Sequence, residues 1–138
     1  MAVISEIILA TKGGALSFGD YLSEEKRKIS DFEVDGNLYS VKTHRLVTRI
    51  EKNSALLLET VPGSTVHNLL IEEEATEFSI EGFEDSQITM ELEGSVDYKI
   101  YINNMQVGLT TSSKSGKISF SIELDETAKK VKIVKFQG

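Results

Sequence analysis

Residues 96–108 read VDYKIYINNMQVG. Val96, Tyr98, Ile100 and Ile102 alternate with Asp97, Lys99 and Tyr101, so one face of this segment is apolar and the other polar. That period of two is the signature of a half-buried β-strand. Asn103-Asn104 follows, and asparagine tolerates the positive φ that a two-residue hairpin turn requires. Met105 and Val107 then begin a return strand. The stretch is therefore a hairpin whose first strand feeds a core, with Lys99 and Tyr101 on its outer side.

The same period recurs along the chain. Ile118, Phe120 and Ile122 alternate with Lys117, Ser119, Ser121 and Glu123. Phe78 and Ile80 alternate with Glu77, Ser79 and Glu81, and Ile88, Met90 and Leu92 with Thr89, Glu91 and Glu93. Turn residues fall between such runs, as at Gly13-Gly14, Asp35-Gly36, Lys52-Asn53, Pro62-Gly63, Glu81-Gly82, Glu93-Gly94 and Ser115-Gly116. Short strands at regular spacing predict an all-β chain, an antiparallel β-sandwich of jelly-roll or Greek-key type with about 10–13 strands. Expected strands cover residues 3–10, 14–19, 29–34, 37–43, 46–51, 55–61, 64–71, 76–81, 86–93, 96–102, 105–111, 116–124 and 130–136.

Two segments are less regular. Ser23–Lys28, SEEKRK, reads either as a turn or two of helix, with Ser23 as cap and Glu24 pairing with Lys28, or as a charged loop. Ala55 to Leu58 is continuously apolar, which suits a strand buried on both faces. Pro62-Gly63 is a weak boundary. The 138 residues are nevertheless best read as one sandwich domain, with an N-terminal extended strand or arm over residues 1–20 as a variant.

Composition excludes whole classes of chemistry. There is no cysteine, so disulfides, zinc-thiolate sites, iron–sulfur clusters and cysteine nucleophiles are ruled out. Met1 to Ala10 contains no Lys or Arg, so the basic start of a signal peptide is missing, and Ile7–Ala10 is too short to span a membrane. The expected location is cytoplasmic by default, or a surface reached by a non-standard route.

Charge is uneven. The formal net charge is −7, and no Lys or Arg lies between Lys52 and Lys99. Glu59 to Asp97 holds 11 acidic residues, whereas Tyr98 to Gly138 holds seven lysines against three acids, 7 − 3 = +4. The acidic part repels polyanions, and the lysines are spread over strands without interleaved aromatics, so nucleic acid is not an expected partner.

No catalytic or cofactor signature is present. His44 and His67 lack the short spacing of metal ligands, and no serine sits in a GxSxG context. Glu81 with Asp85 or Glu91 could form a glycosidase pair, and Glu81, Glu84 and Asp85 could offer oxygens to calcium, but no DxDxDG loop occurs and there is no Trp to stack on sugar. Solvated acidic faces explain these residues more simply. The chain is thus read as non-catalytic, without cofactor or metal.

Several runs resemble a group of small bacterial all-β proteins that carry the label endosialidase or endosialidase-like. They are LSFGDY (16–21), DFEVDGNLYSVKTH (31–44), RIEKNSALLLETVPGSTVHN (49–68), FSIEGFEDSQITMELE (78–93), YKIYINNMQVG (98–108) and SGKISFSIEL (115–124). The resemblance implies an all-β fold. It rests on core and turn patterns, so no catalytic residue is carried over from it.

The expected function is structural: self-association into an oligomer or filament through strand edges and through the complementary acidic and basic segments. Val3, Ile7, Lys99 and Tyr101 are the candidate interface residues, the first two through strand addition by Ala2 to Ala10. The alternative is a carbohydrate- or other ligand-binding sandwich that uses exposed Tyr39 and Tyr101.

Overall fold

A computed structural model describes residues 3–11 and 13–136. Thirteen strands form two antiparallel sheets packed face to face, and the described residues contain no helix. The strands are β1 (Ile8–Ala10), β2 (Leu16–Phe18), β3 (Arg27–Val34), β4 (Asn37–His44), β5 (Val47–Lys52), β6 (Ala55–Val61), β7 (Ser64–Ile71), β8 (Ala75–Gly82), β9 (Ser86–Glu91), β10 (Asp97–Ile102), β11 (Met105–Thr111), β12 (Lys117–Ile122) and β13 (Lys129–Phe136). Sheet A has the order β1-β2-β7-β8-β13-β10-β11 and sheet B the order β12-β9-β6-β5-β4-β3. The chain is an all-β sandwich, as its alternating pattern predicts.

One hydrophobic cluster fills the space between the sheets, with Phe18, Ile50, Leu58, Val66, Ile80, Ile88, Met90 and Val131 at its centre. These residues come from both halves of the chain. Pro62-Gly63 is therefore a crossing from sheet B to sheet A within one core. Gly63 is required there, because a Cβ would collide with the carbonyl oxygen of His44. The Gly63 amide donates to Arg45 O at 2.9 Å, which pins the crossing to the β4–β5 turn.

Below this crossing the interior is polar but satisfied. Thr43 Oγ1 and Thr48 Oγ1 lie 2.8 Å apart, Thr48 Oγ1 donates to Ser64 O, and Thr60 Oγ1 lies 2.7 Å from Ser64 Oγ. Asp20 N donates to Thr43 Oγ1, and Thr65 Oγ1 to Gly19 O. Buried hydroxyls are tolerated only when paired in this way.

Of the two readings of Ser23–Lys28 the charged loop holds over residues 23–26, and two further readings need correction. Arg27 and Lys28 already belong to β3. The Ser23 hydroxyl donates to Glu25 O instead of capping a helix, and Glu24 faces Arg45 instead of Lys28. A six-residue charged segment cannot hold a helix without an apolar face to bury. The Ala55–Leu58 run is not buried on both faces, since Leu58 is fully buried, Leu56 and Leu57 are half-buried and Ala55 is exposed. Sheet A covers only one side of β6, and a bulge opposite Glu51 interrupts the register at Leu57.

The second correction concerns the first strand, which is shorter than residues 3–10. Ile7 has φ 74, a left-handed conformation, and its amide donates to Ile4 O. The turn lets Ile4 and Ile8 both enter the interior. Strand β1 pairs with β2 of its own sheet, and Ile4 N donates to Gly19 O, so the segment from Ile4 onward lies against its own sheet and does not project as an arm.

Candidate functional site

The four expected interface residues do not form one patch. Val3 and Ile7 are half-buried in the N-terminal segment, and Ile7 packs against the core. Lys99 and Tyr101 lie on β10, on the outer face of sheet A, in register with Val134 and Lys132 of β13. Lys99 Nζ sits 4.2 Å from the centre of the Phe136 ring, a cation–π contact that occupies it within the molecule. Tyr39 is buried, because its ring follows Val41 into the core side of β4. It is therefore unavailable as an exposed stacking residue.

The acidic and basic segments also meet inside one molecule. Basic β13 is inserted between acidic β8 and neutral β10, which places Lys132 Nζ and Lys130 Nζ 3.9 and 4.0 Å from Glu77 Oε1. Lys135 pairs with Glu93, and Lys117 lies opposite Glu91. Arg49 bridges Glu51 and Glu59 at 3.0 and 2.9 Å. Much of the charge asymmetry along the sequence is thus matched by strand order.

What remains unmatched is the end of sheet A. The Asn103-Asn104 turn, with φ of 50 and 67, carries the chain from β10 into β11, as the hairpin reading requires. Strand β11 is an edge, Met-Gln-Val-Gly-Leu-Thr-Thr, with no charged residue and no proline. Met105 and Val107 start the return strand as expected, yet Met105, Val107 and Leu109 are 70%, 55% and 59% exposed. Met105 and Val107 border the space between the edges of the two sheets, and β12, the edge of sheet B, does not close over them. A groove of about 600 Å³ runs between these edges, lined by Ile100, Ile102, Met105, Val107, Phe120 and Ile122.

The opposite side of the sandwich differs. There, β3 carries Arg27, Lys28, Asp31 and Glu33 and is interrupted by a bulge, and β1 has only three residues. Charges, bulges and short length are the devices that block edge-to-edge pairing. Strand β11 has full length and no charge, although a bulge at Val107 interrupts its pairing with β10.

A separate polar cluster lies on the outer face of sheet A. Glu81 is 1% exposed, and its carboxylate accepts from the Tyr21 hydroxyl at 3.1 Å and lies 2.7 Å from His67 Nε2. Phe83 packs edge-on to Tyr21 with ring centres 5.0 Å apart. Burial, reinforced by the Glu81 charge, pushes the Tyr21 phenol up to about 12. The carboxylate is thus committed to two neighbours, while Glu84 and Asp85 are exposed in the following turn. Among the described residues no group of three or more His, Asp and Glu side chains converges on a point suited to a metal ion. Among the described residues there is no helix long and apolar enough to cross a membrane.

No protein-family model, curated protein or solved structure matches the chain.

Proposed function

We propose that this is a non-catalytic structural protein that associates with further copies of itself through the β11 edge. The observation that carries the reading is the seven-residue, uncharged edge of β11, which exposes apolar side chains on both faces and borders an open groove. Unpaired N–H and C=O groups on such an edge pair readily with another strand. Burying Met105, Val107 and Leu109 adds apolar area to those hydrogen bonds. Self-pairing of this edge gives a two-fold arrangement in which β11 meets β11 of a second copy. Sheet A then continues across the pair and the groove closes. Of the other edges, β3 is charged and bulged, β1 is short, and β12 carries Lys117.

Sedimentation equilibrium across a hundredfold concentration range tests this. The wild type is expected to sediment as a dimer, and Val107→Lys or Leu109→Lys to shift it to monomer with an unchanged far-ultraviolet circular dichroism spectrum. A wild type that stays monomeric throughout overturns the reading.

A further inference from the structure

We propose that the open end of the sandwich binds a small cationic amphiphile, a primary amine bearing an aliphatic or aromatic tail. Here the two sheets part around a cavity of about 560 Å³. That is within the roughly 300–1,000 Å³ of small-molecule sites. Its apolar lining comes from both sheets: Leu16, Leu69 and Ile133 of sheet A, and Leu57 of sheet B. A tail can therefore be desolvated on two sides.

The rim selects the head group. Glu72, Glu73, Glu74, Glu91 and Glu93 border the cavity against Lys52 and Lys135, an excess of 5 − 2 = 3 negative charges. Lys135 is moreover engaged by Glu93. An ammonium is attracted to this mouth and a carboxylate repelled.

Tyr39 supplies an independent observation. It lines the cavity and is only 8% exposed, and its hydroxyl is the part that keeps contact with solvent, since no buried side-chain oxygen among the described residues lacks a partner. Burial and nearby Asp35 raise its pKa, so it stays a neutral phenol that can accept from an ammonium or donate to a polar tail atom. A hydroxyl that meets solvent at the wall of an apolar cavity gives an entering ligand a polar contact.

The test compares n-octylamine, n-octanol and n-octanoate, which share a tail and differ in head group, by amide chemical-shift titration of the full chain. Octylamine is expected to bind saturably, with shifts centred on Leu57, Leu69 and Ile133, and octanoate at least tenfold more weakly. The Glu73→Gln/Glu74→Gln double variant alters an exposed turn, so it is expected to fold. It should lower octylamine affinity at least threefold and leave octanol unchanged. Tyr39→Phe should weaken octylamine while preserving the fold. Absence of saturable octylamine binding, or equal binding of octanoate, overturns the proposal. The Val107→Lys variant should bind octylamine like the wild type, so failure here and failure of self-association are separable.

Discussion

Glu81 shows how a single residue changes meaning once its neighbours are known. Along the chain it is one acid among many. In the fold it is a buried carboxylate held by Tyr21 and His67. Tyr21→Phe removes one of its two partners, and the expected cost is about 1–3 kcal/mol, measured as a lowered urea midpoint. Because the folded phenol titrates near 12 and the unfolded one near 10.0, the folded state holds the extra proton between those values, so stability falls as pH rises through that window. Absorbance at alkaline pH should show a late tyrosine ionisation that the Phe variant lacks. His44 acts in the opposite direction. Burial, with Lys26 and Lys42 nearby, lowers its pKa below 6.5. The unfolded chain therefore takes up the proton first as pH falls, and stability present above 6.5 is lost on acidification. His44→Gln should reduce the loss of urea midpoint between neutral and mildly acidic pH. The histidines were visible in the sequence, but their partners were not. Glu81 lies fourteen positions from His67 and sixty from Tyr21.

At the scale of elements, period two and turn chemistry were enough to place the strands. The expected ranges 55–61, 64–71 and 105–111 coincide with β6, β7 and β11. Asn103-Asn104 and Asp35-Gly36 adopt the positive φ that tight hairpins need. Where the reading overreached, a tertiary demand outweighed the local pattern. Ile7 turned left-handed so that Ile4 and Ile8 could both be buried, and the apolar Ala55 stayed wet because it starts β6 directly after the Asn53-Ser54 turn, at the end of the sheet. Connections carry as much of the stability as strands do. Gly63→Ala should cost about 3 kcal/mol or more, because the added methyl meets the backbone of the β4–β5 turn, which cannot swing aside. Thermal melting of the variant reads this directly.

For the whole molecule, strand order decides what the surface offers. A linear charge map suggested acidic and basic faces meeting between copies, and the insertion of β13 beside β8 matches many of those charges internally instead. Association through β11 is therefore expected to survive half-molar salt, whereas contact between opposite charges would be screened away. Sedimentation at low and high salt separates the two. By itself, the sequence determined the all-β class, the position of the strands and the absence of cysteine chemistry, because alternation, turn preference and residue inventory are local properties. Only the tertiary structure decided which strand became an uncovered edge, which carboxylate was buried and where the sheets part, because each depends on non-local pairing that no local periodicity encodes.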